Sequence, residues 1–218
     1  MVYKFDDLDE KQKDLFSKKV RYRINDENPV EDLYQQPGIW AEFGKIIVIS
    51  VGFFVKNGEF RIKSFASDNE KELLTNFAKL LNSEYFQRKD LKLCAHNGKE
   101  FDFPYIARRM IINRIALPNQ LKVFGKKPWE TPFCDTMELW RFGDYKHYTS
   151  LELLTNILGI PSPKNDIAGS DVARVYYEEN NLKRIKEYCE RDVIAIAQII
   201  LRYAGKELLP EDKIIRVK

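Results

Sequence analysis

The stretch Leu91-Lys92-Leu93-Cys94-Ala95-His96-Asn97-Gly98-Lys99-Glu100-Phe101-Asp102-Phe103-Pro104-Tyr105-Ile106 decides how the chain is read. Its first five residues are short and mostly apolar, the pattern of a buried strand. His96-Asn97-Gly98 interrupts it as a loop. The chain then runs into Ala107-Arg108-Arg109-Met110-Ile111-Ile112, which has helical spacing. Asp102 falls near the helix start, with Pro104 in the first turn, where a missing N–H costs nothing. Taken alone, Asp102 reads as an N-cap.

A second carboxylate gives Asp102 a functional reading. Leu182, Ile185, Cys189, Val193, Ile196 and Ile200 repeat at helical period. Tyr188 and Asp192, four apart, share one face beside that stripe. In isolation the pair reads as a packed Tyr with a solvated Asp.

Together the two stretches resemble the DEDD 3′–5′ exonucleases of the ribonuclease H-like fold. The resemblance is to their Tyr-bearing branch, as in the proofreading domains of family B DNA polymerases. It is closer to stand-alone bacterial proteins described as predicted exonucleases related to that domain. The residues that carry it are Glu42 to Ile46, His96 to Asp102, Lys127-Pro128-Trp129-Glu130, Asp135 to Trp140, Phe142-Gly143-Asp144, Thr149-Ser150-Leu151, Gly159 to Lys164 and Tyr188 to Asp192. The resemblance spans Leu8 to Tyr203.

The rest of the chain sets bounds. Its 218 residues suit one domain. A hydrophobic content of 44% with 13% aromatic residues is ample for a core. Lys plus Arg number 36 against 33 acidic residues, a net charge of +3, so charge alone gives no nucleic-acid footprint. Cys94, Cys134 and Cys189 have no zinc spacing and read as reduced, buried thiols of a cytoplasmic protein. No signal peptide is read, and no apolar run approaches a membrane span.

Residues 1–38 read as a charged helix and loop, with Lys18, Lys19, Arg21 and Arg23 clustered on a solvated face. Residues 39–205 read as the ribonuclease H-like domain and 206–218 as a tail. Lys45 to Phe54 is a strand whose continuous apolar character predicts burial on both faces. Lys56-Asn57-Gly58 signals a hairpin, and Phe60 to Phe65 alternates as its return strand. A helix follows from a cap at Asp68 to Glu70 through Leu81, burying Leu73, Leu74, Phe77, Leu80 and Leu81. Pro132 to Asp135 reads as a short strand and Met137 to Trp140 as a turn or short helix. Helices over Ser150–Leu158, Ser170–Glu179 and Leu182–Tyr203 complete an α/β order with a mixed sheet. The resemblance implies a ribonuclease H-like three-layer fold with a mixed central sheet.

In that family the first, central strand carries an Asp-x-Glu motif, which supplies the other two of four metal-binding carboxylates. No strand ending in Asp-x-Glu precedes Lys45. The chain is expected to begin just after its own first motif, through a late start, trimming or natural loss. The least favoured reading makes Val2 to Phe5 a makeshift strand, with Asp6 and Asp7, or Asp9 and Glu10, standing in; it is short for a central strand. Losing that strand leaves unpaired inner edges, and unpaired backbone groups inside a sheet are expensive. Something is therefore expected to fill the slot: an upstream segment, the N-terminal residues or a strand of a second copy, which would make a homodimer.

The resemblance implies two-metal hydrolysis of a DNA 3′ end fed as a single strand, RNA being the alternative substrate. Two Mg²⁺ or Mn²⁺ ions want hard carboxylate oxygens. It further implies that Asp192 holds the ion that activates water, that Tyr188 orients the water, and that Asp102 holds the second ion. With the Asp-x-Glu pair absent, the chain is expected to be weak or inactive. The alternative is a non-catalytic nucleic-acid-binding or interaction protein that kept the fold. Phe101 either stacks on terminal bases or is a core residue. Asn97 either meets the terminal nucleotide or caps its loop. Lys99, Lys126 and Lys127 either touch phosphates or are solvated. His96 reads as structural and His147 as exposed. Asp135 and Asp166 have capping as the safer reading over a second layer behind the metals. Lys127 to Glu130 has no physical account from sequence.

Overall fold

The structure is a computed structural model that describes residues 3–25, 29–34, 37–144, 146, 148–161 and 167–217. Val2, His147 and Asp166, each assigned a role above, lie outside the described residues.

Helix α1, Glu10–Val20, starts at Asp9, whose carboxylate accepts from the Gln12 amide at 2.8 Å while the Gln12 side chain accepts from the Asp9 amide at 3.3 Å. This reciprocal cap fixes the helix start. Phe16 and Val20 are buried with Leu8 and Tyr34 in a small aromatic-rich core, packed by Phe5, Val30, Leu33, Trp40 and Phe43. The short α2, Val30–Leu33, contributes to it.

Strand β1, Val48–Phe54, pairs antiparallel with β2, Phe60–Ala66, in the register Val48↔Ala66 to Phe54↔Phe60. The connecting turn places Gly58 at φ 80°, a conformation that suits glycine. β1 starts later than Lys45 because the Ile46 amide donates at 2.7 Å to buried Glu70 instead of to a strand. Helix α3, Glu70–Leu81, is capped by Asn69 and buries Leu73, Leu74, Phe77, Ala78 and Leu81. Leu80, expected on that face, is half-buried. Glu70 ion-pairs with Arg109 and accepts from the Asn113 amide, so α3 is tied to the next helix through a buried charge pair.

Strand β3 is only Cys94–Ala95, parallel to β4, Cys134–Asp135. Helix α4 is Asp102–Ile112, α5 Thr136–Arg141, α6 Leu151–Ile157 and α7 Val172–Tyr177. Ser150 caps α6, and Gly159, at φ 60°, follows its end. Helix α8 covers Leu182–Tyr203 as the periodicity predicts. Its most buried side chains are Ile185, Glu190, Ala197, Gln198 and Ile199, while Leu182, Cys189, Val193, Ile196 and Ile200 of the predicted stripe are half-buried. The helix packs on β1, β2, β3, α5, α6 and α7, so a single stripe cannot describe its burial. No helix among the described residues is long and apolar enough to cross a membrane.

The fold is α/β with a mixed sheet, and three features correct the expectation. The strands form two sheets, β1-β2-β5 and β3-β4, rather than one. β1 and β3 do not pair with each other, and among the described residues no strand lies beside their remaining edges. With that flank open, β1 is half-buried over most of its length instead of buried on both faces. The described N-terminal residues, from Tyr3 on, form no strand there: Phe5–Asp7 is a 3₁₀ turn, and Tyr3 stacks on Tyr177 at 4.7 Å and donates to Glu178. Finally, the tail contains strand β5, Ile214–Val217, parallel to β2, and Ile214 is buried with Phe60, Ile62 and Ala197.

Candidate active site

The loop from His96 to Phe101 is folded by one carboxylate. Asp135, at the end of β4, is 3% exposed. It accepts from the amides of Asn97 (2.9 Å), Lys99 (3.1 Å), Met137 (3.0 Å) and Glu138 (3.3 Å). Two of these donors start α5 and two belong to the loop. Burying carboxylate oxygens costs free energy unless donors such as these amides meet them. Asp135 is therefore a capping residue, as the safer reading held. His96 is structural too: Nε2 donates to the Thr149 carbonyl at 2.8 Å, which leaves Nδ1 to accept from the Thr136 hydroxyl at 2.9 Å. Burial lowers its pKa, consistent with a neutral ring.

The loop delivers Asp102 as the first residue of α4. Phe101 holds the N-cap position, so Asp102 does not cap the helix. Gly98 lets the loop lie close, since a Cβ there would stand 2.3 Å from the Ala95 Cβ and 3.3 Å from Asp102 Oδ2. Asp192 comes from α8, where the Tyr188 hydroxyl donates to it from one turn earlier. The structure brings Asp102, Tyr188 and Asp192 together from two helices. Burial pushes both carboxyls up to about 6, and Asp102 adds repulsion at Asp192. Burial and the neighbouring Asp192 also raise Tyr188, which stays a proton donor.

Two clustered carboxylates that repel each other are a donor set suited to a hard divalent cation, and Asp102 and Asp192 are the residues that would hold one. They fit in kind but fall short in number: among the described residues no group of three His, Cys, Asp or Glu side chains is placed to bind a metal.

The other candidates divide. Asn97 sits in the left-handed region at φ 59°, and its buried Oδ1 has no hydrogen-bond partner among the described residues. Phe101 is 46% exposed beside Tyr105, so the core reading is set aside. Lys99 ion-pairs with Glu138 of α5, a partner that no sequence pattern flagged. Lys126 is exposed. The Lys127 ammonium lies 5.3 Å from the Trp129 ring centroid, and the Lys127 amide donates to the Glu130 carboxylate at 2.8 Å. The Lys127-Pro128-Trp129-Glu130 motif is thus a self-capped turn with an exposed indole.

Sequence reading also missed the anchor of α8. Ser50 and Ser64 share a hydrogen bond of 2.9 Å, Ser64 donates to Glu190 at 2.7 Å, and Arg216 donates to Glu190 at 3.1 Å. Glu190 is 5% exposed and ties α8 to β1, β2 and β5, which fixes the rotation that presents Tyr188 and Asp192.

The α/β fold sets Tyr188 and Asp192 of α8 within electrostatic reach of Asp102 of α4. The family model described as predicted 3′–5′ exonuclease related to the exonuclease domain of PolB matches residues 39–208 of the 218. The chain belongs to that family.

Proposed function

We propose that the protein hydrolyses the terminal phosphodiester of a single-stranded DNA 3′ end, on a ribonuclease H-like fold, in the presence of Mg²⁺ or Mn²⁺. The observation that carries this reading is the convergence of Asp102, from the His96–Phe101 loop, with the Tyr188–Asp192 pair of α8. A divalent ion held by Asp102 and Asp192 would supply a hydroxide near neutral pH and offset charge on the leaving oxygen. The Tyr188 hydroxyl fixes the Asp192 carboxylate and can hold a water beside it. Exposed Phe101 can stack on the last base. Two carboxylates do not offset two dications, so residues 1–218 alone cut weakly. Full activity would need two further carboxylates at the site.

One observation favours a second reading, a nucleic-acid-binding protein that does not cut: the described residues hold no third metal-ligating side chain at the site. A single assay separates the two. The chain is incubated with 5′-labelled single-stranded DNA in Mg²⁺ and in Mn²⁺, beside Asp192→Ala. A metal-dependent ladder that disappears in the variant is expected of the exonuclease. DNA binding with no ladder would sink the catalytic reading.

A further inference from the structure

Cys94 and Cys134 are in-register partners on the parallel strands β3 and β4. The Cys134 amide donates to the Leu93 carbonyl at 2.9 Å, which locks that register. In-register side chains of neighbouring strands leave the same face, with backbones roughly 4.8 Å apart, inside the span of about 4.4–6.8 Å that a disulfide bridges. Both thiols are free, Cys94 exposed and Cys134 half-buried. Cys94 is reachable because β3 has no strand on its other edge among the described residues. The two groups are also chemically unlike. Lys92 and Lys99 favour the thiolate at Cys134, against its partial burial and the nearby Asp135. Cys189 contrasts with both: burial, with Asp192 and Asp102 nearby, pushes it up to about 12.

We propose that Cys94 and Cys134 form a thiol–disulfide exchange site whose co-reactant is a small disulfide of the glutathione class. The Cys134 thiolate attacks one sulfur of the co-reactant; that S–S bond breaks and one small thiolate leaves, taking a proton from solvent. The Cys94 thiol then gives up its proton, its sulfur attacks the Cys134 sulfur, and the second small thiol departs with a proton. One small disulfide is reduced to two thiols as one protein disulfide forms, so two electrons leave the cysteine pair. The bond would fasten β3 to β4 directly beneath the loop that Asp135 holds, one residue before Ala95 and Asp135 pair. The site needs neither metal nor nucleic acid, so it stands or falls apart from the exonuclease reading.

The test uses the full chain in buffers of reduced and oxidised glutathione at pH 7.5, trapped with N-ethylmaleimide and read by intact and peptide mass. Oxidation should remove two hydrogens and yield a linked Cys94–Cys134 peptide, while Cys189 stays unreacted until the protein is unfolded. C94S should stop at a glutathione adduct on Cys134. C134S should slow the reaction of the native protein about tenfold, the loss expected when the thiolate-bearing partner is removed. C189S should behave as the wild type and shows that the third thiol is not involved. Full alkylation of Cys94 and Cys134 at the oxidised poise would overturn the proposal. So would a linked peptide joining two copies, or equal rates in C134S and wild type. Unchanged far-ultraviolet circular dichroism excludes unfolding as the cause of any loss.

Discussion

At Asp102 and Asp192 the protein accepts the cost of two buried, mutually repelling carboxylates. Burial raises both carboxyls from the usual carboxylate range to about 6 in the folded state. The unfolded chain has released those protons above pH 4, so the folded state holds more protons between pH 4 and 6. Stability from these groups is therefore complete below about pH 4 and is lost as pH rises through 6. Asp102→Asn and Asp192→Asn should each stabilise the metal-free protein by about 1–2 kcal/mol at pH 8 and by nothing at pH 4. Urea unfolding at the two pH values measures this. Adding Mg²⁺ should favour the wild type instead, because binding selects the ionised pair. A variant that gains as much at pH 4 as at pH 8 would show that the carboxyls titrate normally. The pair was legible in the sequence because each half sits in a spaced motif. Phe101 was legible only as a choice between stacking and packing, since exposure is a property of the neighbours. Glu138 was not legible at all, because its meeting with Lys99 needs two elements to be placed first.

Among the elements, the loop before α4 and helix α8 are each positioned by one buried carboxylate. Asp135 gathers four amides, and Asp135→Ala strands all four. That substitution should cost about 3 kcal/mol and speed hydrogen exchange at the Asn97 and Lys99 amides. Asp135→Asn keeps one acceptor oxygen and should lose less. Glu190 plays the same part for α8, and Arg216→Ala should cost about 1–2 kcal/mol by leaving a buried charge with a weaker partner. Thermal melts of the two variants check both figures. Helices with caps and strong period, α1, α3, α6 and α8, were read from sequence to within a few residues. β5 was not, because Ile214-Ile215-Arg216-Val217 is too short and too closely flanked by charge to signal a strand without β2 beside it. β3 shrank to two residues for the related reason that a strand extends only where another strand pairs with it.

On the scale of the molecule, the division into two sheets is the main departure from the pattern that the sequence suggested. The order of elements, the family and the meeting of Asp102 with Asp192 were all readable. The open edges of β1 and β3 were not, because an edge is closed only by the strand that reaches it. An open edge leaves alternate amides of β1 without a strand partner. Those amides should exchange with solvent orders of magnitude faster than their neighbours bonded to β2. A soluble peptide with an Asp-x-Glu strand should slow them if the edge accepts a strand. Protection of every β1 amide in the chain at high dilution would show that the edge is already closed.

The placement of α8 across both sheets bears on how the protein comes apart. The β1-β2-β5 sheet has a core of its own around Phe60, Ile62 and Ile214, and it also shares a larger one, in which Ile49, Val51 and Phe53 of β1 pack with α3, with Phe103 and Met110 of α4 and with Ala95 of β3. Such units can melt separately when nothing couples them. α8 touches β1, β2 and β3, and its contacts add to the shared core as a second means by which one unit senses the loss of the other. Cooperativity therefore rests on this helix together with the core that the strands share. A calorimetric scan should show a single transition in the intact protein. It should broaden or split where Glu190→Ala loosens α8 from one sheet while leaving it against the other.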